Sequence, residues 1–210
     1  MPFSKHSAKQ PARRGRPRSG GREAILAAAF ELLVERGASR LTTREVATRA
    51  GVSEGSVFYH FTDRTGLLTA VIEDSLTALM EVSPSSQAQV AETLDALTSG
   101  IERFLDKALI VLIAAQSDAE LRAGMAAFLL ENDFGPHRGV EGIAGYLRAQ
   151  QQAGLLRADI DPESVAMMLL GSLFLQVSMR QMVSEDYGGN LPGRSQVLAS
   201  LMAMLTPAPQ

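Results

Sequence analysis

Between Leu41 and Phe61 the sequence holds two short helix-forming runs about one three-residue break, Gly51-Val52-Ser53, and this arrangement constrains the fold more than any other feature. The first run opens Thr42-Thr43-Arg44-Glu45. Thr42 there can accept from the backbone N–H of Glu45 while the Glu45 carboxylate reaches back, a capping box that starts a helix over about residues 43–50. Gly51 permits a positive φ, Val52 supplies an apolar plug, and Ser53 can cap the next helix, about residues 54–60. An apolar helix precedes the pair: Ile25, Ala28, Ala29, Leu32 and Leu33 recur at three- and four-residue spacing, and Gly37 is placed to end it. Two short helices joined by a Gly-containing turn and packed by a helix before them form a helix-turn-helix. Its second helix fits the major groove of DNA, which is roughly 12 Å wide. That helix carries Ser56, Tyr59 and His60 as polar groups and Val57, Phe58 and Phe61 as apolar ones. The apolar set anchors it; the short or aromatic polar set suits base edges and phosphate oxygens.

A fourth helix begins at an acidic or hydroxyl cap, Thr62 or Asp63, and runs to about residue 80. Residues 82–89, with Pro84 and three serines, read as a linker. Beyond them, segments of about 90–115, 119–132, 136–153, 162–184 and 193–205 are helical in pattern and separated by breakers. No stretch shows sustained strand alternation, so the fold class is all-α. The expected organisation is a basic arm over residues 1–20, a helix-turn-helix domain over 21–66, and a helical body over 67–210.

The net charge of −3 hides an asymmetry. Residues 1–64 carry 12 Lys/Arg against 6 Asp/Glu, a net of +6, and residues 65–210 carry 8 against 17, a net of −9. The first part can neutralise phosphates; the second would be repelled by them. There is no cysteine, which excludes disulfides, thiolate metal sites and a cysteine nucleophile. A polar, basic start with no apolar run behind it is not a secretory signal, and the longest apolar stretches fall short of the roughly 20 residues a bilayer needs. The expectation is a cytoplasmic protein with no membrane partner.

The stretch from Leu41 to Ala47, then Ala50-Gly51-Val52-Ser53-Glu54-Gly55-Ser56-Val57-Phe58-Tyr59-His60-Phe61, then Arg64 and Leu67-Leu68, resembles the DNA-binding domain of the TetR family. The resemblance is continuous from about residue 24 to residue 76. It implies a homodimer of all-helical subunits that holds double-stranded DNA through its N-terminal helices, with a variable C-terminal body for dimerisation and effector binding. Position by position, it implies that Thr43 and Arg44 touch DNA at the start of the second helix. Ser53, Gly55 and Ser56 form the first turn of the recognition helix, where a glycine lets the helix lie close to the bases. Tyr59 and His60 match a phosphate-contacting aromatic pair, with a core role for the Tyr59 ring as the other reading. Arg64 stands where the family more often has Lys, keeping the charge and adding bidentate capacity toward phosphate. Phe58 departs from the second Tyr often found there.

In the arm, Arg14-Gly15-Arg16-Pro17-Arg18 resembles an AT-hook core, with Arg16 and Arg18 following the negative potential of a narrow minor groove. A loose tail attracted to phosphate without sequence preference is the equal alternative.

The body shows no catalytic constellation. His137 lacks a carboxylate or metal-ligand partner at helical spacing in this reading, and no serine sits in a Gly-x-Ser-x-Gly context. Neither a cofactor nor a metal is expected, and the protein is read as a binding protein, not an enzyme. Phe104, Leu105, Leu109, Met125, Phe128, Met168 and Phe174 are the candidates for an adaptable apolar wall around a small-molecule effector. Gly142, Ala144 and Gly145, with Ala166, Gly171 and Ser172, would permit close helix approach; the resemblance assigns the two helices that carry them to the dimer interface, with packing inside one chain as the other reading. The leading function is a repressor released from a palindromic operator by an effector. The competing readings are a constitutive or architectural DNA-binding dimer without effector, and an enzyme or carrier fused to a DNA-binding domain.

Overall fold

Helix caps written into the sequence set where the chain turns. In the computed structural model, which describes residues 21–37, 40–80, 89–183 and 191–207, every regular element apart from a single-residue turn is an α-helix. Helix α1 spans Gly21–Arg36, α2 Thr43–Ala50, α3 Glu54–His60, α4 Arg64–Met80 and α5 Val90–Gln116. They are followed by α6 Ala119–Glu131, α7 Pro136–Gln152, α8 Pro162–Met182 and α9 Arg194–Leu205. The arm over residues 1–20, with Arg16 and Arg18, and nearly all of the expected linker over 82–89 lie outside the described residues.

The helix-turn-helix closes as its residues dictate. The Glu45 backbone N–H donates to Thr42 Oγ1 at 3.2 Å, and the Ser56 N–H to Ser53 Oγ at 3.1 Å, so each short helix starts on a side-chain acceptor. Between them Gly51 adopts φ +68°, a left-handed conformation that glycine takes without steric cost. One detail departs from the expected capping box. The Glu45 carboxylate accepts from the Thr42 hydroxyl, and its other oxygen takes the Arg36 guanidinium, each at 3.0 Å, because a cation on α1 stands within its reach. Asp63 caps α4 through the Gly66 N–H at 2.8 Å.

The apolar residues gather into two clusters. The first joins Ile25 and Leu33 of α1, Val46 of α2, Val57 of α3, Leu67, Leu68 and Ile72 of α4, Val111 of α5, and Leu121 and Met125 of α6. It therefore runs across the expected domain boundary at residue 66. The second joins Leu94 and Ile101 of α5, Ile143 and Leu147 of α7, Val165, Leu169 and Leu173 of α8, and Leu198 and Leu201 of α9. Helix α5 serves both clusters, its first half in the second and its last turns in the first. Ion pairs fasten α9 and the end of α8 to α5: Arg194 reaches Asp95 and Glu102, and Arg180 reaches Glu102 and Asp106.

At 21 residues, α8 is the one described helix long and apolar enough to cross a bilayer by length and composition. The sequence suggested no such segment, because its apolar stretch, about residues 169–175 with its neighbours, falls short of the roughly 20 residues a bilayer needs. Its inner face is core, and its outer face carries Met167, Met168, Phe174, Leu175 and Met182, all exposed.

Candidate nucleic-acid interface

Helix α3 is held by one face and shown by the other. Val57 is fully buried, and Phe61 just past its end is nearly so, which seats the helix against α1 and α2. Tyr59 is 85% exposed, so its ring is not part of the core. It meets the exposed His60 ring edge-on at 5.1 Å between centroids. The chain enters α1 beside them: a Cβ built on Gly21 would stand 3.8 Å from His60 Nε2. Arg22 lies 5.8 Å from the centre of the Phe61 ring and pairs with Asp74 at 3.7 Å.

At the other end of α3, polar groups meet in two pairs. The Ser53 and Ser56 hydroxyls lie 2.8 Å apart, and the Thr43 hydroxyl, at the start of α2, donates to Glu54 Oε1 at 2.8 Å. Thr43, Ser53, Gly55 and Ser56 are thus brought to one edge, together with Glu54, which the sequence reading passed over although it lies between two residues it selected. A Cβ on Gly55 would meet nothing closer than Ser53 Oγ at 3.8 Å, an ordinary contact, so the fold itself does not require glycine there.

The cations of this region differ in what they are free to do. Arg36 pairs with Glu45, and Arg49 holds Glu35 through two nitrogens, at 2.8 and 2.9 Å, and Glu31 at 3.2 Å. The Arg49 hydrogen bonds hold the Glu35 carboxyl below its ordinary pKa, so this clamp ties α2 to α1 at neutral pH. Among the described residues of the first four helices and their connections, Arg40 and Arg44 are the arginines with no carboxylate partner. Arg44 was expected at the interface; Arg40 was missed, having no helical position to draw attention to it.

Arg64 is placed differently from the other described residues expected to touch DNA. Its guanidinium is ion-paired to Asp118, just before α6, with both side chains only about a quarter exposed. Asp118 also caps α6, accepting from the Leu121 N–H at 3.0 Å. That backbone hydrogen bond, and next the Arg64 hydrogen bond, hold its carboxyl below the ordinary value. A carboxyl lowered in the folded state stabilises fully above its unfolded pKa, about 3.9, and the contribution disappears as pH falls through the folded value. Asp118→Asn should keep an acceptor for the cap and lose only the charge pair, whereas Asp118→Ala should lose both. We expect Asp118→Ala to lower Tm more than Asp118→Asn at pH 7, and the gap between wild type and Asp118→Asn to narrow in melts at pH 3. Equal Tm values for the two variants at pH 7 would show that the cap contributes nothing. Close by, α6 has no side chain at Gly124 where Thr65 of α4 sits: a Cβ there would lie 2.5 Å from Thr65 Cγ2.

The seven residues expected around an effector do not converge. Leu109 and Met125 are buried, Phe104 and Phe128 pack on the first cluster, Leu105 on the second, and Met168 and Phe174 face outward. Phe128 lines a cavity of about 170 Å³ with Ile72, Glu73, Asn132 and Phe134, between α4 and the end of α6. Phe104 meets Phe134 edge-on. His137 needs correction: its Nε2 lies 3.0 Å from Asp133 Oδ1, four residues earlier, so it does have a carboxylate partner at helical spacing. Asp133 stands in the break between α6 and α7. No three His, Asp or Glu side chains among the described residues are arranged to hold a metal ion.

Residues 25–71 match the family described as bacterial regulatory proteins, tetR family. The chain is 43% identical over 56 residues to the tetracycline repressor protein class C of Escherichia coli, covering 27% of this chain and 26% of that one. It is 31% identical over 96 residues to the HTH-type transcriptional regulator TtgW of Pseudomonas putida, covering 42% of this chain and 72% of that one. The first curated relatives it matches are spanned over about a quarter of their length. Among solved structures, the SmeT–triclosan complex superposes with a TM-score of 0.65 at 20% identity, covering 90% of this chain and 93% of that one. The helix-turn-helix match and the shared all-helical architecture agree: the chain belongs to the TetR family of bacterial transcriptional regulators.

Proposed function

We propose that the protein binds double-stranded operator DNA as a homodimer in the cytoplasm and is released from it by a small-molecule effector. The observation that carries the DNA reading is the outward face of α3. Tyr59 and His60 stand in solvent, the Ser53–Ser56 edge is open, and Gly55 omits a side chain the protein has room for, at a cost of about 1 kcal/mol in helix propensity. A close neighbour outside the chain accounts for that omission. The chain enters α1 beside His60, at the far end of α3 from that edge, which supports contact between Arg16 and Arg18 and an adjacent groove.

Dimerisation is supported by the outer face of α8, apolar from Met167 to Met182, beside Gly142 and Gly145 of α7, where nothing of this chain lies within 4 Å of a built Cβ. An effector is supported by the relatives, one a tetracycline repressor and one seen with triclosan, and by the Arg64–Asp118 and Thr65–Gly124 contacts. Those contacts let a ligand in the body move α4. A differential ligand affinity of about 2.7 kcal/mol between the two α4 positions releases DNA about a hundredfold.

Footprinting and salt titration test the DNA reading. A palindromic footprint with half-sites about 34 Å apart is expected. Arg44→Ala should weaken binding to specific and random duplexes alike and lower the salt slope by about 0.9, the signature of one lost phosphate contact. Unchanged binding on both duplexes would remove Arg44 from the interface.

A further inference from the structure

A carboxylate stands at the edge that the DNA reading turns toward the duplex, and the structure shows what holds it there. Glu54 is the first residue of α3 and is exposed. The Thr43 hydroxyl, from the start of α2, donates to its Oε1 at 2.8 Å. No other side-chain donor reaches its carboxylate among the described residues, so Oε2 is left as an acceptor with a fixed bearing. The Ser53 and Ser56 hydroxyls lie 2.8 Å from each other, and neither makes a hydrogen bond to the Glu54 carboxylate.

On this DNA-binding reading, we propose that Glu54 is a specificity-determining residue that reads the exocyclic amino group of a cytosine in each operator half-site, with Thr43 as its positioning residue. Close to phosphates a negative side chain is repelled, so it favours binding only where it meets a donor. The major groove offers two base donors, cytosine N4 and adenine N6. Adenine sets the N7 lone pair beside its amino group, and a carboxylate, having acceptors only, is repelled by it. Cytosine sets a C–H there. The chemistry therefore selects cytosine over adenine as well as over guanine and thymine, whose major-groove edges present acceptors.

The same argument separates two substitutions. Glu54→Gln exchanges one acceptor for a donor and makes the bidentate partner of adenine N6 and N7. Glu54→Ala removes both functions and the charge.

The test is selection of preferred sites from a randomised duplex pool by the full-length protein, followed by affinity measurement on duplexes differing at single positions. Wild type should enrich cytosine at one position of each half-site and prefer it over adenine by at least about fivefold. Glu54→Gln should move that preference to adenine. Glu54→Ala should be indifferent there, keep the remaining positions, and bind random DNA more tightly. Thr43→Val should reduce the cytosine preference without exchanging it for another base. If wild type selects a symmetric site and both Glu54 variants keep every preference, this inference is wrong and the DNA-binding reading stands. If wild type selects no site at all, the DNA-binding reading fails and takes this inference with it.

Discussion

Replacing Phe174 by Glu is expected to leave the protein monomeric at micromolar concentration and to weaken operator binding by at least a hundredfold. Phe174 is 52% exposed in the single chain and sits midway along the apolar outer face of α8, flanked by Met167, Met168, Gly171 and Leu175. In a two-fold interface each substitution occurs twice, on opposite sides of one axis. A dimer of the variant would have to bury two carboxylates with no cation among the α8 residues flanking them. Leaving one buried charge unpaired costs about 3–5 kcal/mol, so a single copy already exceeds a hundredfold. The protomer itself should be unharmed, because the side chain is half in water before association. Sedimentation should report the monomer, and binding to a duplex with two half-sites should fall to the level of an isolated half-site. A variant that stays dimeric and binds the full operator as wild type would remove α8 from the interface.

The second large effect concerns Leu68, which is fully buried in α4. Leu68→Ala should destabilise by about 2–5 kcal/mol, since the transfer term is joined by the cavity left behind. In a chain of this size each kcal/mol moves Tm by about 2–4 °C. Leu68 shares its cluster with Ile25 of α1 and Val57 of α3 on one side and with Val111 of α5 and Leu121 of α6 on the other. The whole of that cluster should therefore melt together. Calorimetry at fixed protein concentration should show one transition displaced downward. Two transitions, with only one displaced, would show that the helix-turn-helix unfolds independently of the body.

The helix ends were legible because their signals are local. Thr42, Ser53 and Asp63 cap as their residue types allow, and Gly37 and Gly51 take the positive φ that their places after helices require. What stayed hidden depends on distance along the chain or on a choice between faces. Arg64 reads as a free cation until Asp118, 54 residues further on, is folded against it. Met168 and Phe174 read as pocket wall because α8 is apolar on nearly every side, and a pattern without a polar stripe cannot say which side faces inward. Glu54 was overlooked for another reason: an acid in a basic segment does not fit a search for phosphate contacts, although base edges include donors that only an acceptor can read.

The meeting of Gly21 with His60 also has a practical use. The chain contains no cysteine, so one introduced thiol would be the single site for a maleimide dye. Gly21→Cys would place its Cβ 3.8 Å from His60 Nε2, in ordinary van der Waals contact and without displacing the first turn of α1. A fluorophore attached there would sit at the rim of the recognition helix, where solvent is replaced by the duplex on binding. On the proposed function, its emission would follow operator occupancy in real time and report the release that an effector is proposed to cause.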